Sequence, residues 1–268
     1  MNSRIQTLST TPVVPNVTPS APSGPADDAT TKAASDFLQT VGAGSVTTAS
    51  LSPNFLKVIG KPVAFESDIA KGYSADAAEK WLRTVGGGLT YGLPSGSAGG
   101  GAAVLSGSFQ GPTRTGRYLI RLVQEGGWKV DWFQLSSARS AASPTPTGPE
   151  GPYQHFAATA FLDLLADKDA MAKSDRVPLL ANLLSPELRK AWAAPFGSDT
   201  KGGYDYSPSQ IDLKFSEIGA VDTYAAAGIG ADLTIKGELT KTGGKKPFTL
   251  KLSKGTSPGQ WLVSEFTQ

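Results

Sequence analysis

The apolar positions of this chain fall into two stretches with one plan, helical in spacing where each begins and alternating where it ends. In the first stretch Ala33, Phe37, Leu38 and Val41 recur at near-helical intervals behind Thr30 or Thr31 as N-cap, and in the second Phe156, Ala160, Phe161, Leu164 and Leu165 do the same. Intervals of three and four put side chains on one helix face, so a helix is predicted to open each stretch. Further on, "AVLSGSF", "RYLIRLV" and "GGWKVDWFQL" are matched by "ADLTIKGEL", "PFTLKLS" and "QWLVSEF". Each trio reads as three strands joined by glycine-containing turns. Helices first and a β-meander last predict the α+β class.

The two stretches are related by a shift of 133 residues. It carries "LSPNFLK" at Leu51 onto "LSPELRK" at Leu184, Tyr73-Ser74 onto Tyr206-Ser207, Thr90-Tyr91 onto Thr223-Tyr224, and Trp128, Val130 and Phe133 onto Trp261, Val263 and Phe266. Four matches in one order at one offset indicate an internal duplication. The "LSP" motif has a local physical meaning. Ser52 and Ser185 are placed to cap a helix, Pro53 and Pro186 occupy a first turn where a missing N–H costs nothing, and Leu51 and Leu184 anchor the approach. After Tyr73 the copies diverge: "SADAAEKWLRTV" puts Ala77 or Ala78, Trp81, Leu82 and Val85 on one helical side, whereas "SPSQIDLKFSEI" alternates Ile211, Leu213 and Phe215 like a strand. A short helix running into a strand is the expectation there.

This pattern divides the chain into a Pro/Ser/Thr-rich segment over residues 1–30, a first α+β domain over 31–138, a Pro-rich linker over 139–152 and a second α+β domain over 153–268. The opening segment holds Pro12, Pro15, Pro19, Pro22 and Pro25 and no aromatic residue. Without large apolar groups it cannot offset its ordering entropy, so it is expected to be disordered or polyproline-like.

Composition narrows the chemistry. Charged residues make up 18% and hydrophobic ones 39% of the 268, both below the ordinary globular share. Twenty-five basic against twenty-three acidic residues leave a formal charge of +2. The densest basic group, Lys241 with Lys245 and Lys246 around Gly243-Gly244, reads as a solvated hairpin tip, so nucleic acid is not an expected partner. The absence of cysteine removes thiolate chemistry, disulfides and Cys-ligated zinc. No run approaches the ~18 apolar residues of a membrane span, and no secretory h-region is visible. Two settings compete, a soluble cytoplasmic protein and the soluble part of an envelope protein, and the balance of small residues favours the second, an extracytoplasmic one.

Helices followed by a curved meander, closing on "GGWKVDWF" and "GQWLVSEF", resemble the nuclear-transport-factor-2-like superfamily. "FLQTV" with "LSPNFLK" and "FLDLL" with "LSPELRK" carry the rest of the likeness. The resemblance implies two α+β cones, each helix-packed and often hollow in that superfamily, whose members include enzymes, ligand binders and non-enzymatic adaptors. Fold does not decide among these.

Side chains must decide. The one histidine, His155, has no partner for a His-based metal site or a duplicated triad, and reads as a polar residue at a helix entry. Glu79 and Asp212 match under the shift but lie on the ambiguous stretch; Asp131 matches Ser264 and Asp68 matches Lys201, so no duplicated base emerges. Tyr73, Tyr91, Tyr206 and Tyr224 are the candidates for polar tips aimed into an apolar pocket, or for core rings with hydroxyls at the rim. Trp128 and Trp261 read as core. Trp132 has the opposite parity and is a candidate binding-surface residue if the second sheet face is uncovered. "GLPSGSAGGGAAV" lacks the ending of a phosphate loop. No cofactor, metal or catalytic residue is implied. The expected function is a non-catalytic tandem binding or assembly module whose partner is a protein or envelope component, with homo-oligomerisation open; the alternative is an enzyme or binder of a small apolar ligand in one hollow cone.

Overall fold

The computed structural model describes residues 24–60, 74–137, 139–141, 148–166, 169–193 and 208–268. In chain order the first half comprises β1 (Gly24–Pro25), α1 (Asp28–Gly42), α2 (Pro53–Ile59), α3 (Ala75–Gly86), β2 (Thr90–Tyr91), β3 (Ser95–Gly99), β4 (Ala102–Gln110), β5 (Thr115–Gln124) and β6 (Trp128–Ser136). Then come β7 (Arg139–Ala141), α4 (Gly151–Ala166), α5 (Lys173–Leu183), α6 (Pro186–Ala193), α7 (Pro208–Ile218), β8 (Val221–Ala226), β9 (Thr234–Lys241), β10 (Gly244–Lys254) and β11 (Trp261–Thr267). The class is α+β. One sheet runs β1-β3-β4-β5-β6 with β2 also on β4; the other runs β11-β10-β9-β8, antiparallel, with β7 added in parallel at the edge of β8.

The repeated heptapeptide does the same mechanical job twice. Leu51 bridges Val130 and Leu184 bridges Val263, both in parallel, and the N–H groups of Ser52 and Ser185 donate to the Val130 and Val263 carbonyls at 2.8 Å each. The two serine hydroxyls accept from Phe55 N at 3.0 Å and from Leu188 N at 3.2 Å, capping α2 and α6 behind Pro53 and Pro186. So "LSP" ties a helix start to the last strand of a sheet, and the buried leucine supplies the apolar contact. The last strands match further. Each carries a β-bulge at corresponding positions, Asp131 between the pairs Arg121–Trp132 and Leu122–Val130, and Ser264 between Lys251–Glu265 and Leu252–Val263. Phe37 meets Phe133 edge-on at 5.4 Å, and Phe161 meets Phe266 at 5.1 Å.

Two sequence expectations need correction. Residues 208–218 form α7 and contain no strand; shifted by 133 they overlay α3. Ile211, Phe215 and Ile218 are buried at helical intervals while Leu213 is 47% exposed, so the apparent alternation was the accident of one extra apolar residue on the wet face. The first helix begins at Asp28 with Asp27 as its cap, accepting from Thr30 N at 2.8 Å, and Thr30 itself is inside.

The cores of the two halves are continuous. Helix α4 packs against β8, β10 and β11 on one side and against β4 and β6 on the other. Twelve of its sixteen residues are buried, against five of fifteen in α1. A helix apolar on every side needs cover on every side, and here two sheets provide it. The face of the first sheet turned towards α4 carries buried Leu119, Arg121, Val123 and Trp132. The register-equivalent positions of the second sheet are Thr249, Lys251, Ser253 and Glu265, none of them buried.

Candidate functional site

Of the aromatic residues singled out from the sequence, Trp132 and Tyr224 are buried and Tyr91 is half-buried against the core. Tyr91 donates its hydroxyl to the carbonyl of Gly86 at 2.9 Å, and its ring packs edge-on against Tyr118 at 5.7 Å and Phe133 at 6.2 Å. Burial pushes its phenol well above the ordinary range. A Cβ at Gly86 would stand 2.3 Å from Val41 Cγ1 and 2.6 Å from the Tyr91 hydroxyl, so glycine is what lets the ring and helix end meet. In the second half Phe161, Trp192, Phe248 and Phe266 form the corresponding ring cluster. Tyr73 and Tyr206 lie outside the described residues.

Trp132 is 2% exposed, which corrects the expectation of an uncovered second sheet face. It lies beneath the second half, and its indole N–H donates to Gln134 Oε1 at 2.9 Å. Glu79 and Asp212 are surface acids paired with Arg83 at 3.8 Å and Lys173 at 2.8 Å. Lys245 pairs with Glu238 at 3.0 Å beside the turn at Gly243 and Gly244, both at positive φ. Among the described residues no group of three or more His, Asp or Glu side chains is placed to hold a metal. Nor is any described helix long and apolar enough to cross a membrane.

What polar chemistry the interior holds is concentrated between the halves. Asp163 of α4 is fully buried. Arg117 Nε of β5 donates to its Oδ2 at 2.9 Å while Nη2 reaches Oδ1, and the Tyr224 hydroxyl of β8 donates to Oδ1 at 2.7 Å and accepts from Arg117 Nη2 at 3.0 Å. Burial pushes the Asp163 carboxyl up, opposed by Arg117, Tyr224 and Ser136; burial also works against the Arg117 charge, but hydrogen bonds and the field of Asp163 outweigh it. The two directions conflict. The geometry favours the ion pair, because both carboxylate oxygens have donors and a guanidinium does not surrender its proton. His155, two turns earlier on α4, is held below the ordinary imidazole range by burial and by Arg117.

A second buried ion pair sits at the bulge. Asp131 accepts from Arg121 Nη2, from the Ser52 hydroxyl at 2.5 Å and from Asn54 Nδ2 at 3.4 Å. Around these pairs the halves exchange further bonds. Tyr153 shares its hydroxyl proton between the carbonyls of Gly99 at 2.8 Å and Ala102 at 3.0 Å, with burial pushing its phenol up to about 12. Gln134 Nε2 donates to Ala160 O at 3.2 Å, and Arg114 spans the carbonyls of Val85 and Ala170. Beside Arg121 a recess lies between Trp132, Tyr153, Phe156, Gln260 and Trp261; its internal volume is about 10 Å³, room for one water molecule.

Sequence reasoning missed Arg117, Arg121, Asp131 and Asp163 as a group. One signal was present: an acid inside the apolar run "FLDLL", which a fully buried helix accepts only if a partner reaches it. Both carboxylates are engaged by guanidinium groups, which makes them brackets between elements and unsuited to free general-base chemistry. No family model, no curated protein and no solved structure matches this chain.

Proposed function

We propose that the chain is a non-catalytic binding or assembly module made of two tandem α+β cones of the nuclear-transport-factor-2-like kind, acting at the cell envelope through its outer surfaces. The tandem reading is supported by the bridges, caps and bulges that recur at corresponding positions of the two halves. The observation that carries the functional reading is the filling of the first cone: Tyr91, Tyr118, Phe37 and Phe133 interlock where a hollow member would hold its ligand. With the interior occupied by its own rings, recognition falls to the surface. The envelope assignment rests on composition and the Pro-rich segments.

Two measurements on the purified chain test this. Native mass spectrometry is expected to give the bare polypeptide mass, and cross-linking in an envelope fraction is expected to yield one recurrent adduct at surface residues. A stoichiometric small molecule that leaves on Tyr91→Phe substitution, or turnover of a small substrate, would replace the module with the small-ligand alternative.

A further inference from the structure

We propose that the recess between the halves is a binding site for a single internal water, held by Arg121 Nε and forming part of the contact between the first sheet and the second half. Arg121 is 5% exposed, its Nη2 is committed to Asp131, and its Nε is buried without a hydrogen-bond partner. A buried guanidinium N–H left unpaired costs more than an ordinary lost hydrogen bond, because the group carries charge. The other polar groups at the wall are already engaged in part. The Trp132 indole is bonded to Gln134, the Trp261 indole to Glu150 at 3.1 Å, and the Gln260 side-chain Oε1 accepts from Thr256 N and Ser257 N.

The remaining wall suits water. The space of about 10 Å³ is close to one water and too small for an organic ligand. Asn182, Gln260 and Tyr153 also line the recess, so a water that accepts from Arg121 has polar side chains in the same wall. An anion is disfavoured on charge, since Asp131 already neutralises Arg121 and a second negative charge would be buried uncompensated. The turn that closes the recess is fixed by the Gly255 N to Gln260 O bond at 2.9 Å, and Gly259 lies close against Ala102 and Tyr153. The position equivalent to Arg121 in the second sheet is the exposed Lys251. The site therefore exists only where the halves meet.

The test is a crystal structure of the whole chain at a resolution that shows ordered water, with a second crystal soaked in bromide and a third of Arg121→Lys. The expected result is one peak at about 3 Å from Nε, with no anomalous bromide signal there, and its loss in the lysine variant, which keeps a charge for Asp131 but has no Nε. An empty recess, a bromide peak in it, or a water that stays in place in the lysine variant overturns the proposal.

Discussion

Replacing Asp163 by alanine removes a carboxylate of α4 that β5 and β8 both reach. Arg117, Tyr224 and Ser136 lose this partner unequally. The Arg117 side chain is 33% exposed and can turn towards water, so its share is discounted. The Tyr224 hydroxyl, 5% exposed at residue level, keeps the bond it accepts from Arg117 Nη2 but loses the buried acceptor of its own proton, at about 1 to 3 kcal/mol. With the small void left by the carboxylate, the total comes to about 3 kcal/mol, at the low end for a broken buried pair. For a chain of this size that lowers Tm by roughly 6 to 12 °C. Thermal melts followed by far-UV circular dichroism and by tryptophan fluorescence measure it. Trp81 reports on the first half, while Trp132 and Trp261 line the recess between halves. Because the carboxylate joins both halves, a single transition should move as a whole. The triple variant Asp163→Leu, Arg117→Met, Tyr224→Phe should recover most of the loss, since it replaces the carboxylate and the guanidinium and hydroxyl that reach it by apolar groups together. A cost below about 1 kcal/mol, two transitions of which one moves, or a triple variant no better than the single one would refute the reasoning.

Four further outcomes are expected. Ser52→Ala should cost more than Ser185→Ala in urea denaturation, because both lose a cap at about 1 kcal/mol and Ser52 alone also donates to Asp131; equal costs would remove Asp131 from the account. Tyr91→Phe should destabilise by about 1 kcal/mol through the lost bond to Gly86, while leaving surface cross-links unchanged. His155 binds a proton less readily folded than unfolded, so the stability it contributes is present above its ordinary pKa near 6.5 and is lost as pH falls through that value. The readout is the difference between wild type and His155→Gln, whose stability should fall less between pH 7 and 5. Finally, residues 148–268 expressed alone should bind a hydrophobic dye through the uncovered side of α4 and lose that binding when residues 24–141 are added; a dye-silent fragment would show that α4 needs only one sheet.

Much of the fold was legible because it is written in local chemistry. The "LSP" caps, the meander strands and the helical start of each stretch depend on neighbours within a few positions, and the structure has them. The α7 segment was misread because Ile211, Leu213 and Phe215 satisfy two periods over so short a run. The relation between the halves was hidden for a different reason. Arg117 and Asp163 stand 46 residues apart, and nothing near either one announces the other. The composition of α4 did announce a helix without a wet side. Weighing "YQHFAATAFLDLLA" against the more polar "TTKAASDFLQTVG" would have placed a second layer over Trp132 before any coordinates. The recess was beyond sequence reasoning altogether, since it is a shape left by β5, β6, α4, α5 and the turn into β11.

The contrast between the two sheet faces also sets how far this architecture can grow. Stacking one unit on the next needs an apolar sheet face to receive and an all-round apolar helix to insert, and the described residues hold one of each, already joined to one another. At one end the outward positions of α1 include exposed Lys32, Asp36, Gln39 and Thr40; at the other, Lys251 and Glu265 stand where Arg121 and Trp132 would have to be. Both termini of the stack are thus capped, in the manner of the polar end repeats that keep solenoids soluble. A filament built by the same contact would first require both end faces to be repainted with apolar residues.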